Sequence, residues 1–460
     1  MAGARMHARS LLYVLHITIL CIVYFSAAKL GLSLDAVSGF ATAVWPPTGI
    51  ALVVLFRFGY RLWPGIVLGA FLANASAGAP VLVASGMAAG NILEACVGTY
   101  LLKQVVGFRP TLERLWDVFG LVALAAGLST LSSATLGVTS GWLGGVIPST
   151  AYGKAWWTWW LGDVMGDLVV APLLLVWSAS PRLRLPPRRL AEAWALLLGV
   201  VAVSLFVFDG LWPTRTITLP YLLFPVLMWA ALRFGTHGAA TATAIISIIA
   251  IWGTAQGFGP FASETVQGGL LELQTFMSIV AVTGLVLAAA VAERQHVEEA
   301  HSRLAAIVES SDDAIIGKTS TGIIVSWNRG AEQLYGYRAD EVIGQPVTLL
   351  VPPDRRDALR ETLERRTRGE PVEHYEAVHR RKDGQEIYVS LTISPVKDVR
   401  GTLIGTSAVA RDMTARKQAE EAFERQQRDT AFLDRATQLF NSTLQLKAVF
   451  QTVARMATEV

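Results

Sequence analysis

The chain has 460 residues, a formal net charge of +3 and 52% hydrophobic residues. Two cysteines, Cys21 and Cys96, are too few for a disulfide framework, and no Cys-x-x-Cys occurs. The basic residues are scattered through short loops rather than massed, which excludes nucleic acid as a partner.

Charge divides the chain near Glu293. The first 292 positions hold 25 charged residues and the following 168 hold 50. A membrane-spanning helix needs about 20 mostly apolar residues. Spans are predicted near 11–33, 40–56, 62–76, 81–102, 115–138, 156–178, 190–208, 217–233, 238–256 and 270–292. The second and third are short, and eight is the alternative count if two short segments do not cross. Residues 11–28 read as a retained first span rather than a signal peptide. Basic residues recur in alternate loops: Arg5 and Arg9, then Arg57 and Arg61, then Lys103, Arg109 and Arg114, then Arg182, Arg184, Arg188 and Arg189, then Arg233 and His237. Lys154 and Arg215 are exceptions. By the positive-inside rule both ends of the membrane half are cytoplasmic.

Polar residues within spans are costly and raise a functional hypothesis by default. Asn91 and Glu94 are three apart and Asp163 and Asp167 four apart, so each pair shares a helix face. A carboxylate at that depth must be paired, hydrated or protonated. These four residues are candidates for a polar cavity holding an unknown small ligand or ion; helix-to-helix bonding is the alternative. Gly162 and Gly166 flank the aspartates and would let another helix approach closely. Trp45-Pro46-Pro47-Thr48-Gly49 cannot be regular helix throughout, because successive prolines remove backbone donors. Broken helix at membrane depth survives only beside protein or a cavity, which adds Trp45 to the candidates. Trp156, Trp157, Trp159 and Trp160 crowd one end of the sixth span, as an interfacial belt or as a pocket wall. Arg57-Phe58-Gly59 and Arg233-Phe234-Gly235 each end an apolar run, a weak sign of duplication.

Three stretches carry a resemblance to the MASE1 family of bacterial integral-membrane sensory domains. They are Val44 to Asn74 (VWPPTGIALVVLFRFGYRLWPGIVLGAFLAN), Trp156 to Trp177 (WWTWWLGDVMGDLVVAPLLLVW) and Pro220 to Phe261 with its Gly259-Pro260-Phe261 loop. The resemblance covers about 10–293. It implies an input domain of histidine kinases, diguanylate cyclases or phosphodiesterases in the bacterial inner membrane, with the stimulus unspecified.

The tenth span runs into Glu293-Arg294-Gln295-His296 without Gly or Pro, so the helix should continue outward as a linker over 294–311. Val297, Ala300, Leu304 and Ile307 are spaced 3-4-3, the start of a heptad seam, which predicts a dimeric linker. From Asp312 the pattern becomes strand-strand-helices-strand-strand-strand, with strands at 314–317, 323–327, 372–381, 386–395 and 402–411. Asp383-Gly384 is a strong hairpin cue. This is an α+β domain on one five-stranded antiparallel sheet.

The motifs Ile323 to Tyr337 (IIVSWNRGAEQLYGY), Glu341 to Gly344, Arg380 to Gly384 and Arg411-Asp412-Met413-Thr414 are similar to a PAS domain of the S-box type, over about 302–414. That resemblance implies a cytoplasmic sensor or relay in which Asp412 and Thr414 hand the sheet over to an output helix. Trp327 and Asn328 are candidates to bound a small pocket, with core packing as the alternative. The resemblance offers no flavin-adduct cysteine and no histidine on the helix 352–368 to ligate haem, so no cofactor is expected. His374 and His379 are predicted on the surface. Ala419, Phe423, Gln426, Thr430, Leu433, Thr437, Phe440 and Leu444 keep a heptad register over 415–445 and predict a coiled coil in a homodimer. Residues 446–460 resemble the opening helix of a GAF domain, and the chain is expected to be truncated there.

No kinase phosphoacceptor, Gly-rich nucleotide loop, cyclase signature or metal-ligand cluster occurs in the sequence. No catalytic residue is therefore expected within these 460 positions. The expected role is sensory input to an output enzyme, a histidine kinase first, with a cyclase or serine phosphatase as alternatives. A transporter with a regulatory PAS domain, or a membrane-anchored scaffold, is the rival class.

Overall fold

The computed structural model describes residues 2–33, 42–179, 186–208, 219–262, 266–355 and 375–458. Contacts divide the chain into two units, Met1–Val297 and Glu298–Val460.

The first unit is helical. In chain order it contains α1 (Ala2–Ser33), α2 (Pro46–Phe58), α3 (Trp63–Ser76) and α4 (Val81–Val106). Next come α5 (Leu115–Leu143), α6 (Ser149–Ala179), α7 (Pro187–Phe208), α8 (Leu223–Ala255) and α9 (Val266–Glu309). Among the described residues, seven helical stretches are long and apolar enough to cross a membrane. One of them contains α8, which is not continuous. Gly235 has φ 57° and ψ −142°, a left-handed conformation that glycine adopts without steric cost. A Cβ at Gly238 would press on the Ala230 carbonyl. In a straight helix those residues would be about 12 Å apart, so the chain turns sharply at Gly235 and divides α8 into two helical segments. With the shorter α2 and α3, the described residues supply a helical segment for each of the ten predicted spans. Gly59, the other glycine of the repeated Arg-Phe-Gly, also has positive φ, 90°, and ends α2. Both copies of that tripeptide therefore stop a helix by the same means.

Three helices widen into π-helical turns, at Leu102–Val106, Leu121–Ser129 and Gly166–Val170. Such turns shift the helix face and concentrate at functional positions. The core of this unit is built from small residues and aliphatics of α5, α6, α8 and α9, including Ala126, Met165, Leu168, Ile246 and Met277.

The second unit holds a five-stranded antiparallel sheet in the order β2-β1-β5-β4-β3. Its strands are β1 (Ala314–Thr319), β2 (Ile324–Trp327), β3 (Tyr375–Arg380), β4 (Glu386–Lys397) and β5 (Leu403–Asp412). Helices α10 (Arg329–Tyr335) and α11 (Ala339–Val342) follow β2. α12 (Thr414–Thr458) follows β5 and includes the predicted coil and the GAF-like stretch. The predicted helix over 352–368, apart from its first residues, and His374 lie outside the described residues. Strand alternation places Ile387, Val389, Leu391 and Ile393 on the buried face, against Trp327, Leu334 and Tyr335.

His379 corrects the sequence expectation. It is 7% exposed and its Nδ1 lies 2.8 Å from the Tyr335 hydroxyl. On β3 it shares the inner side with Tyr375 and Ala377. Burial, with the Lys318 charge as a second cause, lowers its pKa from 6.5 to about 4. Folding therefore favours the neutral ring. The associated stability is fully present above about pH 6.5 and is lost as pH falls through the window toward pH 4. The size is about 3 kcal/mol at full protonation. Hydrogen-exchange protection factors of β3 in the full chain, corrected for the intrinsic pH dependence of exchange, should fall steadily through that window. In His379→Gln, that fall between those two pH values should largely disappear.

Candidate functional site

The site is assembled from the start of α2 and the helices around it; the expected break is not seen, because Pro46 and Pro47 occupy the first two positions of a regular helix, where no backbone donor is needed. Trp45 N–H donates to the Gly162 carbonyl at 2.9 Å, so the segment before α2 is hydrogen-bonded directly to α6. Three glycines make this approach possible. A Cβ at Gly49 would strike the Gly166 carbonyl, one at Gly166 the Trp45 carbonyl, and one at Gly162 would lie 2.9 Å from the Thr42 carbonyl. The close fit brings the Thr48 hydroxyl, in the first turn of α2, to donate to Asp163 Oδ1 at 2.9 Å.

α4 and α5 complete the cluster. The Ser133 hydroxyl donates to Asn91 Oδ1 at 2.8 Å and accepts from Trp159 Nε1 at 3.1 Å. Glu94 interacts electrostatically with Asp163 and Asp167, and neighbours the hydroxyls of Ser133 and Thr48. The Tyr24 hydroxyl of α1 lies beside Trp45 and Asn91, close to the charges of Glu94 and Asp163. All of these side chains are buried, with Glu94 2%, Asp163 1% and Asp167 1% exposed.

The four polar candidates and Trp45 are thus brought into one neighbourhood. Tyr24, Thr48 and Ser133 join them although the sequence did not single them out as site residues, and so does Trp159, one of the four tryptophans read as a belt or a pocket wall. The four crowded tryptophans divide. Trp159 faces the cluster, Trp156 stacks on Trp160 at 6.1 Å, and Trp157 is exposed.

The cluster is incompletely satisfied from within the protein. Trp45 Nε1, Asn91 Nδ2, Glu94 Oε1, Asp163 Oδ2 and Asp167 Oδ1 have no hydrogen-bond partner. Each such group costs about 1–3 kcal/mol when buried. A small cavity of about 10 Å³ is lined by Trp45, Asn74, Trp159, Gly162 and Asp163, among others. That is near the minimum for one water molecule. Among the described residues, no three His, Cys, Asp or Glu side chains converge as ligands of one metal ion.

Two contacts tie this region to α9. Gln274, 1% exposed, donates from Nε2 to the Ala43 carbonyl at 3.2 Å and the Thr42 carbonyl at 3.4 Å. At the charge boundary, Glu293 Oε2 accepts from the Leu115 N–H at 3.3 Å, the first amide of α5. An acidic group at a helix N-terminus satisfies a free donor and complements the helix dipole. Arg114 beside it is held by Asp117 at 2.7 Å and by the Gly107 carbonyl at 2.9 Å.

In the sheet unit, Asn328 joins three elements. Its Oδ1 accepts from Ile315 N at 2.8 Å and from Ala331 N at 2.9 Å. Its Nδ2 donates to the carbonyls of Val308 at 2.9 Å and Asp313 at 3.0 Å. Trp327 is packed against Tyr335 with ring centroids 5.4 Å apart, and its Nε1 donates to the Tyr337 carbonyl. At the other end, Asp412 Oδ1 accepts from Thr414 N at 2.8 Å, and Thr414 Oγ1 accepts from Tyr388 N at 3.1 Å. This fixes the first turn of α12 to β4.

Residues 16–295, more than half of the chain, match the family model MASE1. The chain belongs to the MASE1 family. Residues 312–415 match the PAS domain model. The MASE1 unit is a membrane domain, and a PAS domain follows it. A probable diguanylate cyclase of Escherichia coli, DgcE, is 25% identical over 428 residues, covering 88% of this MASE1 chain and 37% of that protein. The signal transduction histidine-protein kinase AtoS, also of E. coli, is 29% identical over 125 residues, covering 26% of this chain and 20% of the kinase. The chain therefore spans well under half the length of these relatives. The crystal structure of a PAS domain from Colwellia psychrerythraea is 26% identical, covers 25% of this chain and 97% of its own, and has a TM-score of 0.24. MASE1 and PAS together make this a membrane sensory input for a signalling protein.

Proposed function

We propose that the MASE1 unit receives a small ligand or ion at the Trp45–Asn91–Glu94–Asp163–Asp167 cluster. α9 would then pass the change to the cytoplasmic PAS domain, and Asp412 and Thr414 would pass it to α12 and an output enzyme. The observation that carries this is Gln274. It sits on the helix that runs on toward the PAS domain, yet it is bonded to two carbonyls just before Trp45. A change at the start of α2 would thereby be a change in a contact of α9, which is the differential interaction that coupling requires.

The output is a diguanylate cyclase or a histidine kinase. The long alignment to a probable cyclase supports the first and the alignment to AtoS the second. A homodimer through α9 and α12 is supported by exposed Leu304, Ile307, Phe423 and Leu433. The PAS domain acts as a relay without haem or a flavin adduct.

Fusing the chain in frame to a cyclase output and measuring cyclic di-GMP in cells tests the proposal. Gln274→Leu should change output at least about fivefold at equal membrane abundance, the lower range of an allosteric coupling. If that variant matches the parent, and a single-span anchor can replace residues 1–293 without effect, the unit is only an anchor. The short α2, whose N-terminus packs beside buried carboxylates, also suits a transporter. Substrate flux in liposomes that depends on Asp163 would favour that reading.

A further inference from the structure

The chemistry of the unpartnered atoms narrows what the cluster takes. Three carboxylates, Glu94, Asp163 and Asp167, are each at least 98% buried and each leaves one oxygen without a donor. Among the described residues none of them makes an ion pair. The groups facing them are one another, the Tyr24 phenol of α1, Thr48 of α2, Ser133 of α5 and Trp159 of α6. None of these is a cation, so no side chain among the described residues supplies the positive charge that would balance them.

Two donors, Asn91 Nδ2 and Trp45 Nε1, are also unpartnered and at least 91% buried, and Trp45 and Asp163 line the same small cavity. The space suits a water-sized occupant and not an organic molecule. The carboxylates do not converge as a divalent metal would need.

We propose that this cluster binds a small monovalent cation, delivered as a proton or as Na+. Unpartnered carboxylate oxygens take the charge, while Trp45 Nε1 and Asn91 Nδ2 hold the oxygen of an accompanying water. The inference rests on the reading that the stimulus enters at this cluster, and it adds the class of ligand.

The test uses the full chain in nanodiscs, with intrinsic tryptophan fluorescence as the readout, because Trp45 and Trp159 belong to the cluster. One arm titrates Na+ at fixed pH, with choline chloride keeping ionic strength constant. The other titrates pH from about 8 to 4 without Na+, the range in which displaced carboxylates change charge. A saturable change is expected in at least one arm, and the arm identifies the source. In Asp163→Asn, Glu94→Gln and Asp167→Asn, the change should be lost or its midpoint moved at least about tenfold, or about one pH unit.

Neutral amides mimic the charge-neutralised cluster. In Asp163→Asn the amide oxygen could still accept from Thr48, so these variants should fold. No saturable change in either arm of the folded parent, equal midpoints in all three variants, or failure of all three to fold would overturn the proposal. The cyclic di-GMP fusion separates the two ideas. Output altered by Asp163→Asn without any cation response leaves the sensory reading standing and removes the cation. A cation response without altered output does the reverse.

Discussion

Gly166→Leu should leave almost no folded membrane unit. The Gly166 Cα faces the Trp45 carbonyl so closely that even a Cβ overlaps it, with Thr48 Cβ a further 3.2 Å contact. The obstacle is backbone, which cannot rotate away as a side chain can. It is also fixed, because Trp45 N–H is bonded to the Gly162 carbonyl one turn earlier. Relieving the clash means separating α2 from α6, which breaks that bond and the Thr48–Asp163 bond together. Overpacking alone costs about 1–3 kcal/mol, and the two lost buried bonds add about 1–3 kcal/mol each. Size-exclusion chromatography of a fluorescent fusion should show the monodisperse peak reduced at least about tenfold. Gly199→Leu is the control, since nothing lies within 4 Å of a Cβ there. Equal peaks for both variants would mean that α2 and α6 are not in this contact.

The second large effect is expected at Asn328. Alanine there removes four short hydrogen bonds, strands the N–H of Ile315 and leaves the Ala331 N–H only its 3.0 Å bond to the residue-328 carbonyl. It also deletes the side-chain cap of α10. The combined cost is about 3–5 kcal/mol, at the upper end for single substitutions. For a domain of this size that corresponds to a fall of roughly 15 °C or more in the unfolding temperature of the PAS domain. Asn328→Asp keeps both bonds to Oδ1 but places a charge against the Val308 and Asp313 carbonyls. It should fall between the parent and alanine if the acceptor side dominates. A purely pocket-lining Asn328 would leave stability near the parent value in the alanine variant, and differential scanning calorimetry of the full chain distinguishes the cases.

The sheet was legible because β1 and β4 alternate with a period of two and clear turn signals separate the strands, and Asp383-Gly384 indeed joins β3 to β4. The same alternation places His379 inside. The surface expectation fails because histidine is only intermediate in burial on average, whereas the phase of β3 turns this one inward. In the membrane unit, apolar length located the helices, and the Arg-Phe-Gly tripeptides marked where two of them stop. Asn91, Glu94, Asp163 and Asp167 stood out as costly at that depth. Thr48 and Ser133 did not, because Ser and Thr hydroxyls are tolerated in spans by bonding back to their own helix; Tyr24 did not, because tyrosine is an ordinary residue of membrane spans near the interface. Gln274 was a visible polar residue in an apolar run and could have been nominated on the same grounds as Asn91. The π-helical turns had no sequence signal, since their extra residue per turn is fixed by packing between helices.

The Glu293 contact has a consequence for comparison among relatives. Its partner is the Leu115 main-chain amide, which every residue except proline provides. Position 115 is therefore free to vary without disturbing the bond, and no compensating change at 293 is called for. Methods that infer proximity from correlated substitutions would pass over this link between the end of the membrane unit and α5. A survey for proline at position 115 in relatives that retain an acid at 293 would find it instead, as a forbidden combination.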